Sequence, residues 1–306
     1  MTPPSSVRQS APPRRVGLVL HPRRDITDAL RQVCQWGHAT GVALAGVDDP
    51  RLPAGVERRP DSDLARERDM VVALGGDGTF LGGLRLAAPR GVPVLGVNLG
   101  RVGYLTEVDG AQLPEALQAL TAGRFAVEER LALDARWLEN GHELQRVAYN
   151  DVVLSRVPGH GQAALGLSVD GQLLVRYASD GVIAATPVGS TGYSFAAGGP
   201  IVSPQTRAMV VTPDAPHGLF NRAVVLGDDE WLDVEVLPTS APVAVEADGQ
   251  LVTQFAAGWR MRIAAHASPA LVVRLGAAGF AERARRKLGI RDPAALADFD
   301  LAGHER

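Results

Sequence analysis

The chain has 306 residues, 46% of them hydrophobic and 21% charged, a composition typical of a globular protein with room for two domains. Its formal net charge of −3 argues against a general nucleic-acid-binding or anionic-membrane-binding protein, and no apolar run approaches the roughly 20 residues that span a bilayer. Cys34 is the only cysteine, which excludes a disulfide within the chain and a zinc site built from cysteines.

Residues 1–14 are rich in proline, serine and arginine, and they contain no apolar segment typical of a secretory signal. We therefore predict a disordered tail over residues 1–14. Together with the lone cysteine, this beginning predicts a cytoplasmic protein.

Short apolar runs alternate with helical patterns from residue 15 to residue 122. Strands are predicted at 16–20, 42–44, 70–74 and 92–97, and helices at 25–40 and from Thr79 onwards. Residues 49–69 are predicted to be a surface connection. The alternation predicts an α/β domain with a mostly parallel, Rossmann-like sheet over residues 15–122.

The pattern changes after residue 123, where strands follow one another with few helices between them. Two Asp-Gly pairs, at 170–171 and 248–249, are typical of hairpin turns. A β-rich domain is therefore predicted over residues 123–276, with strands at 127–138, 145–157, 164–175, 208–212, 231–236, 243–246, 251–255, 259–264 and 270–273. A helix at about 279–289, within a segment of about 277–290 that completes the first domain, precedes a flexible tail over 291–306.

The basic residues exclude several mechanisms, because Lys287 is the only lysine among the 31 lysines and arginines. A Walker A loop and a protein-kinase fold each need a lysine on the phosphates, and pyridoxal chemistry needs one for its Schiff base. A kinase of this composition would have to neutralise phosphate with backbone N–H groups, arginine or a metal ion.

A glycine-rich turn follows the predicted strand at 70–74 and reads Gly75-Gly76-Asp77-Gly78. Glycines let the backbone approach a ligand closely, and the amides at the start of the following helix suit a phosphate. An aspartate beside that phosphate can bind a metal or accept a proton from an attacking hydroxyl. The alternative interpretation is a tight turn in which Asp77 caps the helix.

A second glycine-rich segment runs from residue 179 to residue 200 and combines small residues and hydroxyls with Tyr193. This composition predicts a loop against which a ribose and an aromatic ring can lie, with Tyr193 as a stacking surface. The alternative is a flexible polar loop.

Four motifs occur in order: GGDGT at 75–79, NLGRVGYL at 98–105, Asn150-Asp151, and Asp180 followed by TPVGSTGY at 186–193. Together they resemble the NAD kinases over roughly residues 15–290. GGDGT is shared with lipid kinases and phosphofructokinases, whereas the other motifs are more specific. The resemblance implies an α/β domain plus an all-β domain, with NAD bound between them and phosphorylated on the adenosine ribose 2′-hydroxyl to give NADP.

The resemblance also implies roles for individual residues. Asp77 would accept the proton of the 2′-hydroxyl, Asn150 and Asp151 would hold a ribose, and Asp180 would contact the nicotinamide end. The other substrate-binding residues implied are Gly75, Gly76, Gly78, Asn98, Thr186, Ser190, Thr191, Gly192, Tyr193, Ser194, Phe195, Ala196, Ala215 and Gln250.

The resemblance further implies Mg²⁺ or another divalent metal held mainly by the donor phosphates, with no metal ligand assigned to the protein. By the same resemblance, the phosphoryl donor would be ATP or inorganic polyphosphate, and the assembly would be a homodimer or homotetramer. We expect no nucleic-acid or membrane partner.

The chain departs from the usual family pattern at several positions. Val188, Gly192 and Ala196 stand where threonine, alanine and serine are usual, and Asp151 stands where glutamate is frequent. These departures bear on affinity and donor choice and leave Asp77 untouched. Two alternatives stay open: a lipid or sugar kinase with the GGDGT turn, and a catalytically silent NAD(P)-binding sensor.

Overall fold

A computed structural model describes residues 7–9, 11–100, 103–276 and 279–291. The helices in these ranges are α1 (Thr27–Thr40), α2 (Asp77–Ala87), α3 (Leu113–Thr121), α4 (Tyr193–Ala196) and α5 (Phe280–Leu288). The strands are β1 (Val7–Gln9), β2 (Arg15–Leu20), β3 (Ala43–Val47), β4 (Glu57–Arg59), β5 (Met70–Gly75), β6 (Val94–Asn98), β7 (Val108–Asp109), β8 (Ala126–Arg130), β9 (Leu133–Glu139), β10 (His142–Ala148), β11 (Asp151–Arg156), β12 (Ala163–Val169), β13 (Gln172–Ser179), β14 (Gly181–Ala185), β15 (Ala208–Asp214), β16 (Val224–Gly227), β17 (Leu232–Val236), β18 (Val243–Ala247), β19 (Gln250–Phe255), β20 (Arg260–Ala265) and β21 (Ala270–Arg274).

The first sheet is mostly parallel, as predicted, and has the strand order β1-β8-β21-β6-β5-β2-β3-β4, with β7 beside β6. All six residues of β5 are buried, because helices cover both faces of the sheet. On one face α1 and α3 pack against Leu18, Val72 and Leu95. On the other face α2 packs against Val71 and Val94.

Helix α3 was not predicted, although its apolar residues follow helical spacing. Leu113, Ala116, Leu117 and Leu120 recur at intervals of three and four, and all four side chains are buried. The helix is only nine residues long, so its apolar spacing gives a weak helical signal in the sequence.

Two expected boundaries differ in the structure. Strands β8 and β21 were assigned to the β-rich domain, but both lie in the first sheet, where β21 pairs with β8 and β6. The tail at 1–14 contains β1, which pairs with β8 in antiparallel register. An edge strand is held by hydrogen bonds between backbone groups, so the polar composition of residues 1–14 did not exclude a strand at β1. Residues 1–6 and 10 lie outside the described residues, as does 292–306 of the tail predicted at 291–306.

The β-rich region forms two antiparallel six-stranded sheets, with the orders β10-β9-β20-β17-β12-β13 and β16-β15-β14-β11-β18-β19. Their inner faces share one core, in which Leu133 and Leu165 of one sheet meet Val182 and Val245 of the other. The prediction of an all-β second region is confirmed.

Both Asp-Gly turns occur where predicted. Residues 170–171 join β12 to β13, and residues 248–249 join β18 to β19. All four residues have positive φ, between 49° and 78°, which is typical of the hairpin turn that matches strand twist.

Three of the stretches that were predicted as single strands each contain two strands in the structure. The stretch 127–138 breaks between β8 and β9, 145–157 breaks at Tyr149 and Asn150, and 164–175 contains the turn at 170–171. The first break changes sheets without a glycine or proline, so local composition did not reveal it.

Candidate active site

The glycine-rich turn lies at the carboxyl edge of the first sheet. Gly75 ends β5 and pairs with Asn98, which ends the neighbouring parallel strand β6. The Asn98 Oδ1 accepts the Gly100 N–H at 3.2 Å, and its amide donates to Asp109 at 3.3 Å. Parallel sheets bind ligands at this edge, so both predicted site residues lie where a ligand is expected.

The Asp77 carboxylate is held by the loop that follows β6. Its Oδ2 accepts the N–H of Tyr104 at 2.8 Å, and its Oδ1 accepts the N–H of Leu105 at 3.0 Å. Gly76 is the N-cap of α2, and no side chain caps this helix. The alternative role of Asp77 as a capping residue is therefore wrong.

The turn is open on the side of Gly76 and Gly78. Apart from chain neighbours and the nearby backbone of α2, no described atom lies within 4 Å of where a Cβ would stand on either residue. Gly75 differs, since a Cβ there would lie 2.1 Å from the Thr79 Oγ1 and so could not be accommodated. The first amides of α2 have no partner within the helix, so this open turn is suited to an anion.

Asn150 and Asp151 lie at the start of β11 in the second region. Asp248, in the second Asp-Gly turn, accepts the N–H of Tyr149 at 2.9 Å and that of Asn150 at 2.7 Å. The Asp248 N–H donates to the Asp151 carbonyl at 3.0 Å. The Asn150 Oδ1 is buried and has no hydrogen-bond partner among the described residues. A buried acceptor without a donor is costly, and a ligand hydroxyl would satisfy it.

Burial and charge set the protonation of these carboxyls. Burial, followed by the charges of Asp248 and Glu246, raises the pKa of Asp151 to about 7. Burial also raises the pKa of Asp248, against the opposing effect of its backbone donors and of Arg85. Arg85 on α2 lies 3.4 Å from Asp248, so this contact joins the first domain to the Asn150 segment.

The segment 186–194 folds tightly over Asn150. The Thr186 N–H donates to the Asn150 carbonyl at 2.8 Å. A Cβ on Gly189 would lie 2.0 Å from that same carbonyl oxygen, so only glycine fits there. A Cβ on Gly192 would lie 3.9 Å from the side chains of both Asn150 and Asp151. These predicted residues therefore form one group.

The hydroxyls of this segment are used inside the protein. Thr186, Ser190 and Ser194 are fully buried. Their Oγ atoms bond to the Tyr149 carbonyl at 2.9 Å, the Pro187 carbonyl at 2.7 Å and the Thr212 hydroxyl at 2.8 Å respectively. These side chains shape the loop, and their contact with substrate stays a prediction.

Tyr193 lies beside the Asp180 region. Its hydroxyl donates to Asp214 at 2.8 Å, and the Asp214 carbonyl accepts the Asp180 N–H at 3.0 Å. Ala215 follows with φ 44°, a left-handed conformation that non-glycine residues rarely adopt. The Asp180 carboxylate is paired with Arg156, a partner that sequence reasoning missed.

The remaining predicted residues are at the surface or in a cavity wall. Phe195 and Ala196 are exposed on α4. Gln250 begins β19 and accepts a hydrogen bond from Arg146 at 2.8 Å. Thr191 lines a cavity together with Tyr104 and Leu105, the residues whose amides hold Asp77. Phe80 of α2 and Tyr149, the neighbour of Asn150, line the same cavity, whereas the lining includes neither Asp77 nor Asn150.

Residues 57–125 match the model of the ATP-NAD kinase N-terminal domain, and residues 149–275 match that of the ATP-NAD kinase C-terminal domain. The chain belongs to the NAD kinase family. NAD kinase 1 of Streptomyces avermitilis is 40% identical, over 94% of this chain and 91% of its own length. The NAD kinase of Desulforamulus reducens is 37% identical, over 89% of this chain and 96% of its own length.

Two solved structures of the NAD kinase type resemble the chain. Yeast NADH kinase complexed with NADH has a TM-score of 0.84 at 24% identity, covering 98% of this chain and 94% of that one, which shows the shared fold. An NAD kinase from Archaeoglobus fulgidus in complex with ATP has a TM-score of 0.70 at 26% identity, covering 90% of this chain and 97% of that one. The predicted family, fold and phosphotransferase class are confirmed.

The sequence analysis did not identify the residues that orient the predicted site residues. Asp248 was interpreted only as a turn residue, although a buried turn aspartate can also accept backbone amides. Arg85 and Arg156 carried no motif signal, because their partners are distant in sequence. No helix in the described part of the chain is long and apolar enough to cross a membrane.

Proposed function

We propose that the chain transfers a phosphoryl group to the 2′-hydroxyl of the adenosine ribose of NAD, giving NADP, with Asp77 as the proton acceptor. The observation that carries this proposal is the position of Asp77. Its carboxylate is held by two backbone amides at an open glycine turn, in a chain of the NAD kinase family. The two amides orient the carboxylate and leave each oxygen a further lone pair for the substrate proton.

The transfer is a direct in-line displacement. The 2′-oxygen of the ribose attacks the terminal phosphorus of the donor, and the bond from that phosphorus to its bridging oxygen breaks. The leaving phosphate keeps the electron pair, and the 2′-hydroxyl proton passes to Asp77. The free amides of Gly78 and its neighbours at the start of α2 suit the negative charge of the transferred group.

The Asn150 group is proposed to hold a ribose. The Asn150 Oδ1 lacks a donor, and Asp151 lies beside it and beside the turn at Gly192. Ribose hydroxyls can donate to both oxygens. The role of Asp180 at the nicotinamide end stays a prediction, and Arg156 orients its carboxylate.

We expect a divalent cation to be held mainly by the donor phosphates. Among the described residues, no three His, Cys, Asp or Glu side chains converge into a cage. Mg²⁺ in phosphoryl-transfer sites is commonly held by one or two carboxylates together with substrate phosphates. When bound, the cation neutralises charge on the donor phosphates.

The donor and the assembly belong to the proposal as well. ATP is supported by the ATP-bound family member from Archaeoglobus fulgidus, and inorganic polyphosphate stays the second candidate. A homodimer or homotetramer is expected, and light scattering of the purified chain would measure it.

The deciding experiment incubates the purified chain with NAD, Mg²⁺ and either ATP or polyphosphate, and measures NADP with an NADP-specific dehydrogenase. Asp77→Asn should reduce turnover to background while NAD binding stays within about tenfold, because the amide cannot accept the proton. Asp61→Asn, the same charge change at an exposed residue of the first domain, is the matched control.

Each outcome separates the candidates. Near-normal turnover in Asp77→Asn would contradict the role of Asp77. No NADP from the folded wild type with either donor would refute the proposed reaction. NAD binding without turnover would then favour the sensor, and the absence of NAD binding would favour a different acceptor.

A further inference from the structure

Lys287, the only lysine of the chain, reaches from α5 to the loop that holds Asp77. Its Nζ donates to the carbonyl oxygens of Tyr104 and Thr106, both at 2.9 Å. Three of its neighbours on the helix are arginines, Arg283, Arg285 and Arg286. A compact ammonium with three donors suits two carbonyls that lie two residues apart, whereas a planar guanidinium is better matched to a carboxylate or phosphate.

The other side of the same loop faces the proposed proton acceptor. The amides of Tyr104 and Leu105 donate to the Asp77 carboxylate, at 2.8 Å and 3.0 Å. The loop therefore presents carbonyls to Lys287 and amides to Asp77. The Tyr104 carbonyl and the Leu105 N–H belong to one peptide group, and hydrogen bonds joined in this way polarise one another, so the ammonium strengthens the Leu105 amide as a donor to the carboxylate.

The surroundings of Lys287 contain charges of both signs. Asp77 on α2 and Glu107 before β7 favour its charged form, whereas Arg274 at the end of β21 and Arg286 on its own helix oppose it. Burial is the largest influence and lowers the pKa of Lys287 to about 8. The side chain is thus charged at neutral pH and loses its charge in mildly alkaline solution.

We propose that Lys287 is a positioning residue for Asp77, which acts by fixing the 104–106 loop whose amides orient the carboxylate. The inference rests on the proposed function, because Asp77 needs this orientation only if it accepts the substrate proton. It assigns the C-terminal helix a part in the reaction, although that helix supplies none of the predicted substrate contacts.

The test compares Lys287→Met, Lys287→Arg and the matched control Arg286→Met, which removes a neighbouring exposed cation from the same helix. Lys287→Met should lower kcat by about tenfold to a hundredfold, because a misplaced carboxylate slows proton transfer. The KM for NAD should stay within about threefold. Lys287→Arg should recover part of the loss, and at neutral pH, where Lys287 is charged in both proteins, Arg286→Met should match the wild type.

Amide hydrogen exchange provides a readout that does not depend on turnover. In Lys287→Met the peptide that contains residues 103–106 should exchange faster, while peptides of the second region should not change. In Arg286→Met this peptide should exchange as in the wild type. If the wild type makes no NADP, the proposed function fails, and the exchange comparison still decides whether Lys287 holds the loop.

The pH profile adds a third readout. Loss of the Lys287 charge should give the wild-type kcat a falling limb near pH 8, which Lys287→Arg should shift to a higher pH because arginine stays charged. The inference is overturned if kcat and loop exchange in Lys287→Met equal those of Arg286→Met. It is also overturned if the alkaline limb is the same in the wild type and Lys287→Arg.

Discussion

Asp151 shows, at the scale of a single residue, how burial sets the protonation of a carboxyl in the candidate site. It is 6% exposed, and burial together with Asp248 and Glu246 raises its pKa from 3.8 to about 7. The folded chain therefore binds more protons here than the unfolded chain between about pH 4 and pH 7. The contribution of Asp151 to stability is present below pH 4 and is lost as the pH rises through 7.

We therefore predict that Asp151→Asn flattens the fall in unfolding free energy between pH 5 and pH 8. Relative to the wild type the variant should gain on the order of 2 kcal/mol at pH 8, because the cost of a buried charge is removed. Chemical denaturation at both pH values measures this difference. The control variant Asp61→Asn, at an exposed carboxyl, should show the same pH dependence of the unfolding free energy as the wild type. If Asp151→Asn also shows the wild-type pH dependence, the prediction is contradicted.

Asp77 illustrates what residue type alone can predict. An aspartate in a glycine turn after a buried strand indicated either a reactive carboxylate or a helix cap. The two functions differ only in which amides the carboxylate accepts, and those of Tyr104 and Leu105 lie 27 and 28 residues further along the chain. The choice between them therefore required the folded structure.

At the scale of structural elements, the two Asp-Gly turns have the same local conformation but lie in different surroundings. Asp170 has φ 49° and accepts the Trp231 N–H at 3.1 Å in an exposed turn. Asp248 has φ 50°, and its side chain, which is only 1% exposed, accepts the amides of Tyr149 and Asn150. The second turn thus positions the candidate ribose-binding pair, and the first does not.

We predict that Asp248→Ala destabilises the chain by about 2–4 kcal/mol, because two backbone amides lose a buried acceptor. It should also weaken NAD binding by at least about tenfold, since Asn150 loses its orientation. Denaturant titration and calorimetric NAD titration measure the two effects.

Asp170→Ala is the matched control for this change, because it introduces the same backbone strain in the other turn. It should cost about 1 kcal/mol or less and leave NAD binding unchanged. Equal NAD affinities in the two variants would show that the turn at 248–249 does not position the site.

At the scale of the whole molecule, the first domain is built from parts of the chain that lie on both sides of the second region. The first sheet takes β8 and β21 from stretches that flank the second region, and β21 lies between β8 and β6. The two six-stranded sheets, in contrast, are formed entirely within residues 131–269. Only the second region is therefore continuous in sequence.

We predict that a fragment of residues 131–269 folds by itself and unfolds cooperatively. A fragment of residues 15–125 should stay largely unfolded, because it lacks β1, β8 and β21 and leaves β6 with only the two-residue strand β7 on one side. Circular dichroism with thermal unfolding would compare them. A cooperative transition in the fragment of residues 15–125 would contradict this expectation.

The sequence by itself determined the α/β and all-β classes, both hairpin turns, the GGDGT turn and the family. These features depend on local periodicity, on turn residues with positive φ and on motifs in which the reacting residues are close in sequence. The helix at 279–289 was predicted on the same local grounds, and it occurs as α5.

Only the tertiary structure decided which sheet β8 and β21 join, what orients Asp77 and Asn150, and what Lys287 contacts. Each of these depends on a pairing between residues far apart in the chain, such as Lys287 with Tyr104 or Asp248 with Asn150. A backbone amide or carbonyl has no identity in the sequence, so its partner is set by packing and burial. The candidate reacting residues therefore stand in recognisable motifs, whereas the residues that position them carry no such signal.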